Sequence, residues 1–366
     1  MIIGCVKEIK KLEYRVGLTP SSVKEYANHG HKVYIENNAG LNSGFTNEEY
    51  VACGAEILES AAEVWNKSEM IVKVKEPLPA EYKYFRKDLI LYTYLHLAAD
   101  EPLTNALLES KVKGVAYETI VEDDGSLPCL KPMSEVAGRL GVIEGAKHLE
   151  KPFGGSGILM SGVPGTRRAN VAIIGAGVVG ESSLKMAVGL EANVTVLDIN
   201  LNKLTHLDQI YGNKITTLYS NNHNIEQACI NADLVVSGVL LPGAKAPKLI
   251  KREFYNKMKP GSVIVDIAID QGGSTEVSKA TYHDNPTFVV DGVVHYCVAN
   301  MPGAVPQTST VALNNATLRY GLLLADNGLE KAIELSAPLR YGVNTYDGKC
   351  TCQGVCDAFD LKYHKL

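Results

Sequence analysis

The sequence predicts an α/β fold of two doubly wound domains, joined by long helices. Strand and helix patterns alternate through the first third of the chain and again after about residue 170. Between these regions, "KPMSEVAGRLGVIEGAKHLEK" reads as one long helix from about Pro132. Alternation of this kind implies mostly parallel sheets with helices on both faces. A length of 366 residues suits two cores rather than one.

The first region starts with a strand, Ile2–Val6, then a helix opening at Thr19-Pro20, a cap residue followed by a first-turn proline, and stopping at Gly30. Val23, Tyr26 and Ala27 form its apolar stripe. Strand Lys32–Glu36 is followed by two capping boxes, Thr46…Glu49 and Ser60…Glu63, each opening a short helix. Strands Met70–Val74, Leu89–Leu95 and Val115–Ile120 complete this part. After the long helix, "PFGGSGILMSGVPG" reads as a connection or flap. From Thr287 a further strand precedes an uncharged segment and helices near Thr308–Ala325 and Leu329–Leu335. This last portion is expected to return to the first domain. The expected domains are therefore a substrate domain, 1–130, a Rossmann dinucleotide-binding domain, 131–304, and a second segment of the substrate domain, 305–366.

Composition narrows the function. With 46% apolar and 21% charged residues, the whole length can fold as a globular protein. The formal net charge is −5 and there is no dense basic run, so nucleic acid and anionic membranes are poor partners. "MIIGCVKEIKK" turns charged at Lys7, unlike a secretion signal. The uncharged stretch Gly292–Leu318 holds His295, Asn300, Gln307, Asn314, Asn315 and two prolines, which hydrocarbon would not accept; burial between domains is expected. The eight scattered cysteines suggest free thiols in a reducing cytoplasm. Cys350, Cys352 and Cys356 near His364 do not have a standard zinc spacing, so no metal is expected.

Gly175-Ala176-Gly177-Val178-Val179-Gly180 is a G-x-G-x-x-G that follows an apolar strand, Val171–Ile174, and opens a helix. Gly175 permits the tight turn, Gly177 lets backbone N–H groups approach a pyrophosphate, and Gly180 lets helix and strand pack closely. The diphosphate would sit at the positive end of the helix. The next strand, Val194–Leu197, ends in Asp198. A carboxylate there accepts hydrogen bonds from ribose hydroxyls and repels a 2′-phosphate, which predicts NAD over NADP.

A nicotinamide needs a substrate carbon facing its ring, so the other domain should supply orienting charges. Arg15 lies in the loop "EYRVGLTP", Lys75 ends the strand "MIVKVK", and His96 follows "LYTYL". In a parallel sheet such residues converge on the carboxyl edge, where ligands bind. Glu118 in "GVAYETI" is expected to be structural and to sit in the last strand of this region.

"KEIKKLEYRVGLTP", "IVKVKEP", "YLHLAAD", "KPMSEVAGRL", "GAGVVG" and "NMPGAVPQTST" together resemble bacterial L-alanine dehydrogenases almost end to end. That family is related to the soluble part of proton-translocating nicotinamide nucleotide transhydrogenase. The resemblance implies that Arg15 and Lys75 hold the substrate, His96 is the acid/base and Asp270 a second catalytic residue. It also implies dinucleotide contacts from Ser134, Val178, Val179, Lys203, Ser220, Val239 and Leu240. Ile267, Ala268, Ile269, Asp270, Val298, Ala299, Asn300 and Met301 would line the nicotinamide pocket. The implied substrates are L-alanine, pyruvate and ammonium, and the implied assembly is a homohexamer.

On this reading Arg15 grips the substrate carboxylate and Lys75 polarises the carbonyl oxygen of pyruvate. His96 takes and gives protons near neutral pH, while Asp270 orients either water or the amine. Three alternatives stand beside it: a soluble NAD(H)-binding subunit of a transhydrogenase, a non-catalytic NAD-binding protein, and an enzyme for a larger amino acid such as a lysine-derived opine.

Overall fold

The computed structural model describes residues 1–239 and 246–366. The chain divides into two compact units: Met1–Met133 with Gly303–Leu366, and Ser134–Pro302. In chain order the strands are β1 (Ile2–Cys5), β2 (Lys32–Glu36), β3 (Ala55–Leu58), β4 (Met70–Val72), β5 (Ile90–Thr93), β6 (Lys113–Ala116), β7 (Asn170–Ile174), β8 (Asn193–Asp198), β9 (Ile215–Tyr219), β10 (Leu234–Ser237), β11 (Val263–Asp266), β12 (Thr287–Val290), β13 (Val293–Tyr296), β14 (Val343–Tyr346) and β15 (Lys349–Cys350).

In the first unit the sheet order is β3-β2-β1-β4-β5-β6-β14-β15, parallel from β3 to β6 and closed by the antiparallel β14 and β15. Both faces are buried. Ile3, Cys5, Val33, Ile35, Met70, Val72, Ile90 and Tyr92 belong to one core, and their neighbours Tyr34, Ile71 and Leu91 to another. That period of two, with apolar residues on each side, is what a sheet covered by helices requires. Thr19 caps the helix Pro20–Asn28 by accepting from Ser22 N, and both capping boxes form. The helix Pro306–Leu335 is broken at Gly328 (φ 73°, ψ 166°), so two helical stretches follow one another there.

The second unit has the order β9-β8-β7-β10-β11-β13-β12, parallel except for β12. Its long helix, Lys131–His148, starts at the boundary between the units. In both sheets the chain order reverses beside the first strand of the unit, at β1/β4 and at β7/β10. Crevices at such reversals, outside the carboxyl ends of the strands, are where doubly wound sheets bind ligands.

Several expected elements are shorter than the sequence suggests. β4 stops at Val72 and β5 at Thr93, so Lys75 and His96 lie on the loops beyond rather than on strand ends. Glu118 is not in a strand: β6 ends at Ala116, and Tyr117–Thr119 turns as a short 3₁₀ helix. Among the described residues no helix is long and apolar enough to cross a membrane.

Candidate active site

Arg15 sits between β1 and the helix Pro20–Asn28, and only 3% of it is exposed. Its Nε donates to Glu13 Oε1 at 2.7 Å and its Nη2 to Glu13 Oε2 at 2.6 Å. This bidentate grip fixes the plane of the guanidinium and keeps it charged where burial disfavours charge. A second buried group secures the loop after β4. Lys73, fully buried, reaches Glu81 at 2.9 Å and Glu8 at 3.2 Å. The Oε1 of Glu8 accepts from the backbone N of Val74 at 2.6 Å and of Lys75 at 3.2 Å. The exit from β4 is therefore held from the loop after β1, which places Lys75 and Glu76 beside Arg15's loop at the sheet's reversal point.

His96 has φ 50° and ψ 35°, a left-handed conformation that costs a side-chain-bearing residue energy. Glu118 compensates: its carboxylate accepts from Leu95 N at 3.1 Å and His96 N at 2.6 Å. The imidazole, 45% exposed, brings Nδ1 to 3.4 Å from Glu76 Oε2, and Lys10 pairs with the other oxygen of Glu76. Burial would push the Glu76 carboxyl up, but the contact with His96 and the charges of Lys75 and Lys10 win and hold it well below the usual carboxylate range. A half-exposed imidazole aimed by an ionised carboxylate can move a proton to or from a small molecule.

The glycine loop shows three different steric demands. Gly175 has φ 99°, a conformation suited to glycine. A Cβ on Gly180 would lie 1.7 Å from Gly175 O, so only glycine lets the helix Val178–Gly189 start this close to the turn. Among the described residues a Cβ on Gly177 would meet nothing within 4 Å, which leaves space in front of this helix N-terminus. Asp198 at the end of β8 accepts from Ala176 N at 2.6 Å and from Asn200 N at 2.7 Å, tying the loop to the second strand. Open space at the helix start, flanked by backbone N–H groups and a carboxylate, fits the diphosphate and ribose of a dinucleotide.

The remaining candidates fall on the same carboxyl edge of the second sheet. Val178 and Val179 open the helix after β7, and Lys203 lies on the helix after β8. Ser220 follows β9, where its N donates to Asp198 O, and Val239 follows β10. Ile267 to Asp270 form the turn after β11, with Asp270 exposed, and Val298 to Met301 follow β13. Ser134 stands instead in the first turn of the long helix. Leu240 lies outside the described residues.

Sequence reasoning did not single out Glu13, Glu76, Glu8 or Lys73. The signal for Glu76 was its place directly after Lys75. Glu8, by contrast, meets Val74 across 66 residues of chain, a pairing that only the sheet reveals.

Two parallel sheets, one carrying a dinucleotide-type glycine loop and the other a cluster of buried charges around an imidazole, define a nucleotide-linked α/β protein. Residues 4–137 match the family described as alanine dehydrogenase/PNT, N-terminal domain, and residues 141–353 match alanine dehydrogenase/PNT, C-terminal domain. The chain belongs to the alanine dehydrogenase/PNT family. It is 54% identical to an alanine dehydrogenase of Methanococcus maripaludis, over 99% of this chain and 98% of that one. It is 55% identical to an alanine dehydrogenase of Bacillus subtilis, over 99% and 95%. A solved structure named L-alanine dehydrogenase superposes with a TM-score of 0.96 at 49% identity, covering 98% of this chain and 99% of the other. A transhydrogenase from Sinorhizobium meliloti, at 22% identity and a TM-score of 0.81, shares the fold.

Proposed function

We propose that the chain catalyses the reversible oxidative deamination of L-alanine: L-alanine, NAD and water give pyruvate, ammonium, NADH and a proton. The observation that carries this reading is the end-to-end likeness to relatives named alanine dehydrogenase, above 50% identity over nearly the whole of each chain. Bound NAD supplies the hydride acceptor, on the glycine loop described above.

The protein supplies position and proton transfer. Arg15, its plane set by Glu13, presents a permanent positive charge to the substrate carboxylate. Lys75, on the loop fixed by Glu8, polarises the carbonyl oxygen of pyruvate. Fixing a small molecule in this way supplies orientation, which accounts for much of the acceleration in such reactions. His96, aimed by Glu76, takes a proton as water adds to the oxidised carbon and returns one as ammonia leaves. Asp270 orients water or the amine.

Asp198 favours NAD over NADP through its negative charge. We assign the protein to the cytoplasm on its eight unpaired thiols, and to a homohexamer on family resemblance; mass measurement in solution checks the latter. The deciding assay follows NADH oxidation with ammonium across a panel of 2-oxo acids. Pyruvate should give the highest kcat/KM, with NADPH a poor replacement. Oxidation of NADH only in the presence of a second nicotinamide dinucleotide would favour the transhydrogenase reading instead.

A further inference from the structure

At the amino edge of the first sheet, opposite the edge that carries Arg15, Lys75 and His96, two imidazoles converge on one carboxylate. The helix Pro20–Asn28 returns the chain to this edge and ends at His29. Gly30, at φ 83°, turns the backbone, and His31 precedes β2. Asp326 comes from the helix Pro306–Leu335, two residues before its break. His29 Nδ1 lies 3.1 and 3.0 Å from the two oxygens of Asp326, and His31 Nε2 lies 2.8 Å from Oδ1.

The geometry points to a divalent transition-metal site, of the zinc type, formed by His29 Nδ1, His31 Nε2 and the Asp326 carboxylate. One ligand atom from each residue lies within 4.8 Å of the others. Ligands on a tetrahedral zinc with bonds of ~2.0–2.1 Å stand about 3.3 Å apart, so small movements bring all three into a coordination shell. Two imidazole nitrogens and one oxygen suit zinc, cobalt or nickel over magnesium or calcium, which prefer all-oxygen shells. Three protein ligands leave a fourth position for water. The His31 side chain is only 7% exposed, so its ring is already oriented, while His29 and Asp326 at 43% and 36% leave the site open to solvent.

The proton balance is defined. His31 Nε2 faces Asp326 Oδ1 at 2.8 Å and carries the ring proton toward that carboxylate. A metal at Nε2 takes its place, and that proton moves to Nδ1 of the same ring. The ion would tie the helix Pro20–Asn28 to the helix Pro306–Leu335, so its binding free energy adds to the stability of the first unit.

The test uses the full chain, stripped with chelator and titrated with cobalt(II) and then zinc(II). One equivalent of cobalt should give a tetrahedral ligand-field spectrum without a thiolate charge-transfer band. Zinc should displace it and raise the thermal midpoint. His31→Gln and Asp326→Asn should each weaken cobalt binding on the order of 100-fold, the upper end of what loss of even an outer partner costs a metal site. Turnover in both variants should match the parent, which also shows that they fold. Absence of a stoichiometric spectrum, a sulfur band reporting Cys350, Cys352 or Cys356, or unchanged binding in both variants would each overturn the assignment.

Discussion

The two sheets wind their parallel strands in the same order, yet their carboxyl edges are furnished in different ways. At β7/β10 the material around the crevice is mostly backbone: three glycines, the N–H groups of a helix start, and one carboxylate that ties the loop down. At β1/β4 it is side chain: Arg15 on Glu13, Lys73 between Glu8 and Glu81, and His96 beside Glu76. A diphosphate is long, charged and flexible, and a row of N–H groups with room in front of them suffices to hold it. A three-carbon acid has few atoms to grip, so each must meet a group of fixed direction, and fixing charged groups takes a second layer of buried charges. One topology thus offers two chemistries, according to whether the loops after the strands are emptied or filled.

The strongest way to break this comparison is to remove the group on which the filled edge depends. His96→Ala should lower kcat by ~10²–10⁴-fold, the usual worth of a positioned acid/base, while NADH binding, measured by fluorescence titration, stays at the parental value. Loss of NADH binding in that variant would mean that the two edges are not separable. Turnover at the parental rate would remove His96 from the chemistry.

The emptied edge should fail in its packing. Gly180→Ala places a methyl group 1.7 Å from Gly175 O, and overpacking of this kind costs roughly 1–3 kcal/mol. A lower urea midpoint and weakened NADH binding are expected together. The second unit also carries a built-in acid sensitivity. His295 on β13 is fully buried between Phe288 and Tyr255, and its ring nitrogens have no partner among the described residues. Burial alone lowers its pKa from 6.5 to about 4. Below pH 6.5 the unfolded chain takes up a proton that the folded chain refuses, so stability is full above that value and falls as pH drops toward 4. The loss is up to about 3 kcal/mol at 1.36 kcal/mol per unit. His295→Phe should flatten the stability profile between pH 6.5 and 4. An unchanged slope would place the acid sensitivity elsewhere.

A smaller effect is expected at Arg15. Lysine keeps the charge but cannot span both oxygens of Glu13, so Arg15→Lys should raise the KM for pyruvate ~10–100-fold, with KM for NADH unmoved. Parental pyruvate KM would show that Arg15 serves only Glu13.

How much of this could be read in the sequence follows the same division. The glycine loop, the capping boxes and the strands around them are local patterns, and the sequence located them within a few residues. Arg15 was legible as a loop residue, and Lys75 and His96 as polar residues at strand ends, although both lie on the loops beyond. Their supports were not. Lys73 alternates with Val72 and Val74 in a strand-like run, where a lysine ordinarily marks a solvent face or an edge; it is buried because Glu8, from the loop after β1, and Glu81, eight residues on, both meet it. His96 gives no sequence sign of its left-handed backbone, which Glu118 stabilises from the next strand's end. β3, β14 and β15 are short, and β14 joins its sheet through residues more than two hundred positions away in sequence. The missed anchors are of two kinds: local pairs whose geometry gives no pattern in sequence, Glu13 with Arg15 and Glu81 with Lys73, and contacts across the sheet such as Glu8 with Val74 and Lys75.

The finest separation of the two edges comes from Gly177. Its φ is −79°, which any residue adopts, and among the described residues a Cβ there would meet nothing within 4 Å. If its purpose is to leave room for a ligand, Gly177→Ala should change stability by less than about 0.5 kcal/mol, as substitutions in open positions do, while NADH affinity falls severalfold because the methyl group stands where the diphosphate approaches the helix. Gly180→Ala, by contrast, should lose stability even without ligand. Urea denaturation of both variants with and without NADH distinguishes the two cases. An equal loss of apo stability at Gly177 would show that the loop's glycines all serve packing, and the open space before the helix would then need a different explanation.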